Sequence, residues 1–221
     1  MALNKLKFNS INVTPSANKA LKFNSSADGF EAGAAGGAMT FIKKLTASSS
    51  STLSFVDGSS DVVLDNTYKE YIFLLKDIHP SANSVHFEFN GSIDSGSNYN
   101  VTKTTSFHNA FHYENDSATG VRYNTGYDHA QSTSYQRFNA EDFMGDDADQ
   151  SLVSILHLFN PSSTTFVKHF IATSQFSSDQ SVSINTFFAG YFNTTSAIDA
   201  VQFRMSSGNI DAGTITLYGI N

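Results

Sequence analysis

Beyond residue 38 the chain falls into short runs in which apolar and polar residues alternate. Residues 52–56, Thr-Leu-Ser-Phe-Val, put Leu53 and Phe55 on one side and Ser54 on the other. That period of two is expected of a half-buried strand. Runs at 40–46, 68–78, 84–90, 101–114, 121–123, 134–138, 152–159, 164–173, 182–192, 198–205 and 214–220 predict further strands. In 68–78, Tyr71, Phe73 and Leu75 share a predicted face. Residues 101–114 are expected to pair with 121–123, and 134–138 to form a short edge strand. Residues 201–205 and 214–218 flank Ser206-Ser207-Gly208-Asn209, which predicts a terminal hairpin whose last strand lies inside a sheet. With about ten strands, turn-rich loops and no amphipathic helix, the expected fold class is all-β, an antiparallel β-sandwich of jelly-roll type.

The first 37 residues read differently. Lys5-Leu6-Lys7-Phe8-Asn9-Ser10 recurs as Ala20-Leu21-Lys22-Phe23-Asn24-Ser25. Each copy predicts a short β-like piece with only two apolar anchors, Leu6 and Phe8 in the first and Leu21 and Phe23 in the second. Such pieces either add as strands to partner subunits or are a chance echo in a disordered tail. The run Gly33-Ala34-Ala35-Gly36-Gly37-Ala38 reads as a flexible joint. The expected organisation is an extended N-terminal attachment arm, 1–37, followed by a β-sandwich domain, 38–221.

Composition narrows the function classes. Charged residues make up 15% of the 221, against about 25% in an average soluble protein, and Ser, Thr and Asn take their place. The net charge is −7 and the 13 Lys and Arg are scattered, whereas a nucleic-acid binder needs a basic face. Aromatic residues comprise 20 Phe and 9 Tyr with no Trp, which suits strands and removes the indole platform of many sugar-binding sites. The absence of cysteine excludes thiol catalysis and Cys-based zinc sites and fits folding in a reducing cytoplasm. Met1-Ala2-Leu3-Asn4-Lys5 leads into no apolar segment of a secretory signal, and no stretch approaches the roughly 20 apolar residues of a helical span. Neither secretion nor membrane insertion is expected.

Candidate chemistry is sparse. His108 and His112 stand at i, i+4, but their flanks are β-formers and no Glu follows His108, so the helical zinc-protease pattern fails. The acidic segment 141–149 contains Asp146, Asp147 and Asp149, which could begin a calcium shell, although their order is not that of an EF-hand. Glu88, between Phe87 and Phe89, is a strand-borne carboxylate. Glycoside hydrolysis needs two such groups across a cleft, and Glu70 and Asp77 read equally well as surface residues. With no Gly-x-Ser-x-Gly elbow and no phosphate-binding Gly loop, no catalytic residue, metal or cofactor is expected and the chain does not read as an enzyme. Asn-x-Ser/Thr triplets at Asn100 and Asn193 follow from the abundance of these residues. Tyr99, Tyr123, Tyr127 and Tyr135, interleaved with Asn98, Asn124, Asp128 and Gln136, suit either recognition of a polar ligand such as a host-surface glycan or a contact between subunits.

Several segments together resemble a family of virion structural proteins of tailed bacteriophages, particularly those of marine cyanobacteria and other marine bacteria. They are Ile11-Asn12-Val13-Thr14-Pro15-Ser16-Ala17-Asn18-Lys19, Asn66-Thr67-Tyr68-Lys69-Glu70-Tyr71 with Ile78-His79-Pro80, Leu158-Phe159-Asn160-Pro161-Ser162-Ser163, Ala189-Gly190-Tyr191-Phe192-Asn193-Thr194-Thr195 and the ending 203–219. The resemblance spans almost the whole chain, and its motifs are structural. It implies a tail-fibre or other virion-surface component, made in the host cytoplasm, assembled with other phage virion proteins through its N-terminal end, and transfers no catalytic residue. A fibre role implies a homo-oligomer, expected to be a trimer. A capsid decoration protein and a soluble carbohydrate-binding module are the alternatives.

Overall fold

The computed structural model describes residues 13–14, 19–34, 38–139 and 143–220. The chain divides into two compact units, Met1–Ala38 and Met39–Asn221. No helix of the described residues is long and apolar enough to cross a membrane.

In the first unit, β1 (Lys19–Phe23) and β2 (Phe30–Ala34) form an antiparallel hairpin. Asn24 organises its turn: its side-chain Nδ2 donates to Asp28 Oδ1 at 2.9 Å, and its backbone N–H donates to Gly29 O at 3.0 Å. Phe23 and Phe30 are paired across the hairpin with ring centroids 4.9 Å apart, and Lys22 meets Glu31 at 3.1 Å. Two expectations change here. The second copy of the repeat is not an extended single strand, because β2 already occupies one of its edges. Gly33 and Ala34 belong to β2 rather than to a joint, and the absence of a Cβ at Gly33 leaves room for the Lys22 stem. Leu6 and Phe8, the anchors of the first copy, lie outside the described residues.

The second unit is an antiparallel β-sandwich. Its large sheet takes β3 (Met39–Thr46), β14 (Ile210–Ile220), β5 (Glu70–Pro80), β10 (Leu152–Phe159), β11 (Lys168–Ser177), β12 (Val182–Phe192), β7 (Lys103–Tyr113) and β8 (Thr119–Tyr123), in that order. The small sheet takes β4 (Thr52–Val56), β13 (Ala200–Met205), β6 (Phe87–Ser92) and β9 (Gln136–Arg137).

Alternation is what turns these segments into two layers. In β10, Leu152, Ser154, Leu156 and Leu158 are buried while Val153 and Ile155 are exposed. Tyr71, Phe73 and Leu75 of β5 share the buried face as expected. Between the layers lies a core of phenylalanines. Phe89 of β6 meets Phe170 of β11 at 5.3 Å and Phe188 of β12 at 5.9 Å, and Phe203 of β13 meets Phe73 at 5.4 Å. These edge-to-face and offset contacts are the arrangements aromatic quadrupoles favour.

The predicted pairing of 101–114 with 121–123 is realised as β7 with β8, and the short edge strand as β9. The predicted terminal hairpin is not formed. β13 pairs with β4 and β6 in the small sheet, whereas β14 lies between β3 and β5 in the large one. The intervening turn, with Gly208 at φ 72°, carries the chain from one layer to the other. β11 begins at Lys168 rather than Thr164, because Thr165 and Phe166 backbone N–H groups are held by the Ser163 hydroxyl. β14 begins at Ile210, four residues before expectation, with bulges opposite β5. One bulge places Asp77 at φ 52° and Gly213 at φ 115°, and a Cβ on Gly213 would stand 2.6 Å from Asp77 O.

Candidate functional site

The small sheet's outward face is polar where its inward face is aromatic. Along β6, Phe87 and Phe89 enter the core, so Glu88 and Asn90 alternate away from it. Cross-strand register then sets Arg137 of β9, Glu88 of β6 and Arg204 of β13 side by side in one row. The adjacent row is Asn90, Gln202 and Ser54.

Glu88 is 6% exposed because the segment 124–135 lies over this face. Asn90 Nδ2 holds that segment and the preceding loop together by donating to Thr133 O at 2.9 Å and to Tyr99 O at 2.8 Å. Lys103, fully buried, donates from Nζ to Ser134 O at 2.5 Å. His129 N donates to Thr105 Oγ1 at 2.9 Å, and Thr105 Oγ1 donates to Gln136 Oε1 at 2.7 Å.

Between this segment and the sheet is a cleft of about 330 Å³ lined by Glu88, Gly126, Tyr127, Asp128, His129, Ser134, Tyr135, Arg137 and Arg204. Arg204 is fixed twice. Its Nε donates to Glu88 Oε1 at 2.8 Å, and its guanidinium lies 3.7 Å from the Tyr135 ring centroid. Tyr135 OH donates to Gln202 Oε1 at 2.6 Å, and burial pushes its pKa up. Arg137 lies 5.3 Å from the Tyr127 ring and has no ion-pair partner among the described residues.

Asp128 accepts the Tyr123 hydroxyl at Oδ2, 2.5 Å away, while its Oδ1 is buried and has no partner among the described residues. His129 Nε2 lies 3.0 Å from Tyr135 O. A carbonyl only accepts, so Nε2 carries the hydrogen, and burial holds the imidazole below its ordinary pKa and therefore neutral at pH 7. Behind Tyr127, His86 is packed against Phe143 and beside Asn139, and burial lowers its pKa to about 4.

Of the four tyrosines singled out from the sequence, Tyr127 and Tyr135 line this cleft and Tyr123 supports it through Asp128. Tyr99 does not line it and contributes a backbone carbonyl behind it. Glu88, considered for acid chemistry, is instead a partner of Arg204. Leu21 and Phe23 lie in the other unit, 50% and 66% exposed.

Sequence reasoning missed Arg137, Arg204 and His129. The signal for Arg204 was present, since it occupies a polar position in an alternating strand whose neighbours on that face are Gln202 and Ser206.

The remaining candidates do not converge. His108 stacks on Phe187 at 5.4 Å, and His112 meets Asp116 at 3.0 Å. Glu70 pairs with His157 across β5 and β10 at 2.6 Å, and Asp77 occupies the β5 bulge. Asp146, Asp147 and Asp149 are exposed, while Glu141 and Asp142 lie outside the described residues. No group of three or more His, Asp or Glu among the described residues is placed to hold a metal ion. No family model, no curated protein and no solved structure matches the chain.

Proposed function

We propose that this chain is a non-enzymatic structural subunit of a tailed-bacteriophage virion, of the tail-fibre or tail-appendage kind. In this reading residues 1–37 attach it to other virion proteins and the sandwich is displayed for host attachment. The observation that carries the reading is the N-terminal hairpin. It leaves Leu21, Phe23 and Phe30 at 50%, 66% and 44% exposure, and a lone two-stranded hairpin is marginal in water. A surface contributed by another protein would bury those three side chains.

Two features of the sandwich support the reading. The chain passes repeatedly between the layers, β3 to β4 to β5 to β6 to β7, as wrapping of the jelly-roll kind requires. On the outward face of the large sheet Val153, Ile155, Ile171 and Phe187 are each more than 40% exposed. Copies of the subunit pack through this face, as a trimer in a fibre. The polar cleft favours a second reading, a carbohydrate-binding module, and a displayed virion subunit can use the same cleft. A capsid decoration protein would share the attachment hairpin.

The test is incorporation into particles. Phe8→Asp alone should reduce the amount of subunit in purified particles, and Phe8→Asp with Phe23→Asp should remove it, with the melting temperature of the free protein unchanged. A double variant recovered in particles at the wild-type level ends the attachment reading.

A further inference from the structure

We propose that residues 4–8 of a second copy of this chain add to the free edge of β2 as a third strand, in the register that β1 already uses. The first copy of the repeat thereby gains a partner, the hairpin of a neighbouring subunit. The inference rests on the proposed function for one thing, the packing of subunits through the large sheet, which brings their N-terminal units together.

That edge is open among the described residues. β1 and β2 form a two-stranded sheet, and Glu31 and Ala32 are exposed. The Asn24 N–H donates to Gly29 O at 3.0 Å, which makes these two a hydrogen-bonded pair. Such pairs alternate along an antiparallel ladder, so Lys22 with Glu31 and Ala20 with Gly33 are the next two. The backbone N–H and C=O groups of Phe30 and Ala32 therefore point away from β1, and an edge of this kind is a template for another strand. A lone hairpin is marginal in water, and independent stability takes a third strand with an apolar face.

The first copy fits that edge residue by residue. β1 sets Leu21, Lys22 and Phe23 opposite Ala32, Glu31 and Phe30, and Leu6, Lys7 and Phe8 have the same order and spacing. With Phe8 opposite Phe30, Leu6 falls opposite Ala32 and Lys7 opposite Glu31. Each row is then symmetrical about β2: Phe30 lies between two phenylalanines, Ala32 between two leucines and Glu31 between two lysines. Aromatic pairs and opposite charges are favourable cross-strand neighbours. Glu31 meets Lys22 at 3.1 Å with its side chain still 48% exposed, which leaves room for a second cation.

Charge selects this edge over that of β1. There, an antiparallel strand that sets Phe8 or Leu6 opposite Leu21 brings Lys7 or Lys5 opposite Lys22, and like charges directly opposite are destabilising. Chain length selects a second copy over the same one. A strand antiparallel to β2 runs parallel to β1, and parallel strands of one chain need a crossover of about a dozen residues or more. Ten residues, 9–18, separate the two copies of the repeat. Each subunit thus hands its first copy to one neighbour and receives another, a head-to-tail exchange that closes in a ring such as the proposed trimer. One five-residue strand is a weak tie by itself. Tethered to packed sandwiches, it meets the neighbouring edge at an effective concentration on the order of millimolar, so exchange follows packing.

The chain has no cysteine, so engineered disulfides report the pairing. The full-length double variant Leu6→Cys with Ala32→Cys, oxidised under native conditions, should give chains linked to one another on non-reducing gels, with positions 6 and 32 joined in the peptide map. Opposed Cα atoms about 5.5 Å apart lie within disulfide reach. Asn4→Cys with Ala32→Cys, two positions out of register, should link about ten-fold more slowly. Lys7→Glu added to the first pair should slow linking about five-fold. Leu21→Cys with Ala32→Cys, opposed within the hairpin, should link each chain to itself and is the control for oxidation. The proposal is overturned if positions 6 and 32 join only within one chain, join no faster than positions 4 and 32, or stay unlinked while positions 21 and 32 close. Sedimentation of wild type reads subunit packing separately. A trimer that does not link refutes the exchange alone, and a monomer that does not link refutes packing with it. No particle enters this assay, so the attachment reading stands or falls apart from it.

Discussion

Replacing Lys103 by Met tests how the wall of the cleft is held. Lys103 is fully buried, and its Nζ fixes the Ser134 carbonyl next to Tyr135. Burial pushes its pKa from 10.5 down to about 7, a shift that the nearby Glu88 carboxylate only partly opposes. Above the folded value the unfolded chain binds the proton and the native chain does not, so stability rises with pH until the unfolded value of 10.5 is approached. At 1.36 kcal/mol per pH unit, wild type should gain about 3–4 kcal/mol from this group between pH 7 and pH 10.

Met has a similar length and no charge. The variant therefore escapes the burial cost at pH 7 and loses one hydrogen bond, worth about 1–2 kcal/mol, at every pH. Urea unfolding of both proteins from pH 7 to pH 10 should give curves that cross, with the variant more stable at pH 7 and wild type more stable at pH 10. Lys168, also buried and lowered by burial, contributes to both curves and cancels in the difference. Parallel curves would refute the reasoning, because they would mean that Lys103 titrates alike in the folded and unfolded chains.

Other outcomes follow from packing. Phe89→Ala removes a ring in contact with Phe138, Phe170 and Phe188 and should cost about 3–5 kcal/mol, read as a fall in melting temperature of about 6–20 °C. Gly213→Ala sets a Cβ against the Asp77 carbonyl at φ 115°. It should cost about 2 kcal/mol or more, lowering the denaturant midpoint with an unchanged slope. Ile155→Asp with Phe187→Asp charges the outward face of the large sheet; sedimentation should show the proposed trimer in wild type and only monomer in the variant, with native circular dichroism in both.

Local order was legible in the sequence where one strand decides its own faces. Tyr71, Phe73 and Leu75 share the buried side of β5, and Leu152, Leu156 and Leu158 do so in β10, because the strand period alone places them. Which sheet a strand joins is a different matter. Residues 201–205 and 214–218 alternate as well in separate sheets as they would in one hairpin. What separates them is pairing with β4 and β6 on one side and with β3 and β5 on the other, all distant in sequence.

The same distinction divides the cleft. Tyr127 and Tyr135 were visible because they cluster locally with polar neighbours. Arg204 is 116 residues from the Glu88 it binds, and no local pattern brings them together. The hairpin of β1 and β2 was hidden because Gly33 and Ala34 carry the composition of a linker while pairing with Ala20 and Lys19.

The central claim is that this chain is a displayed virion subunit held by its N-terminal hairpin, and its location on an intact particle tests that most directly. Gold-conjugated antibody raised against residues 39–221 would be applied to purified particles whose genome encodes the chain and viewed by electron microscopy. The account predicts label at the tail or its appendages, lost when Phe8 and Phe23 are both changed to Asp. Particles that carry no label anywhere, with the protein recovered free in the lysate, would contradict it.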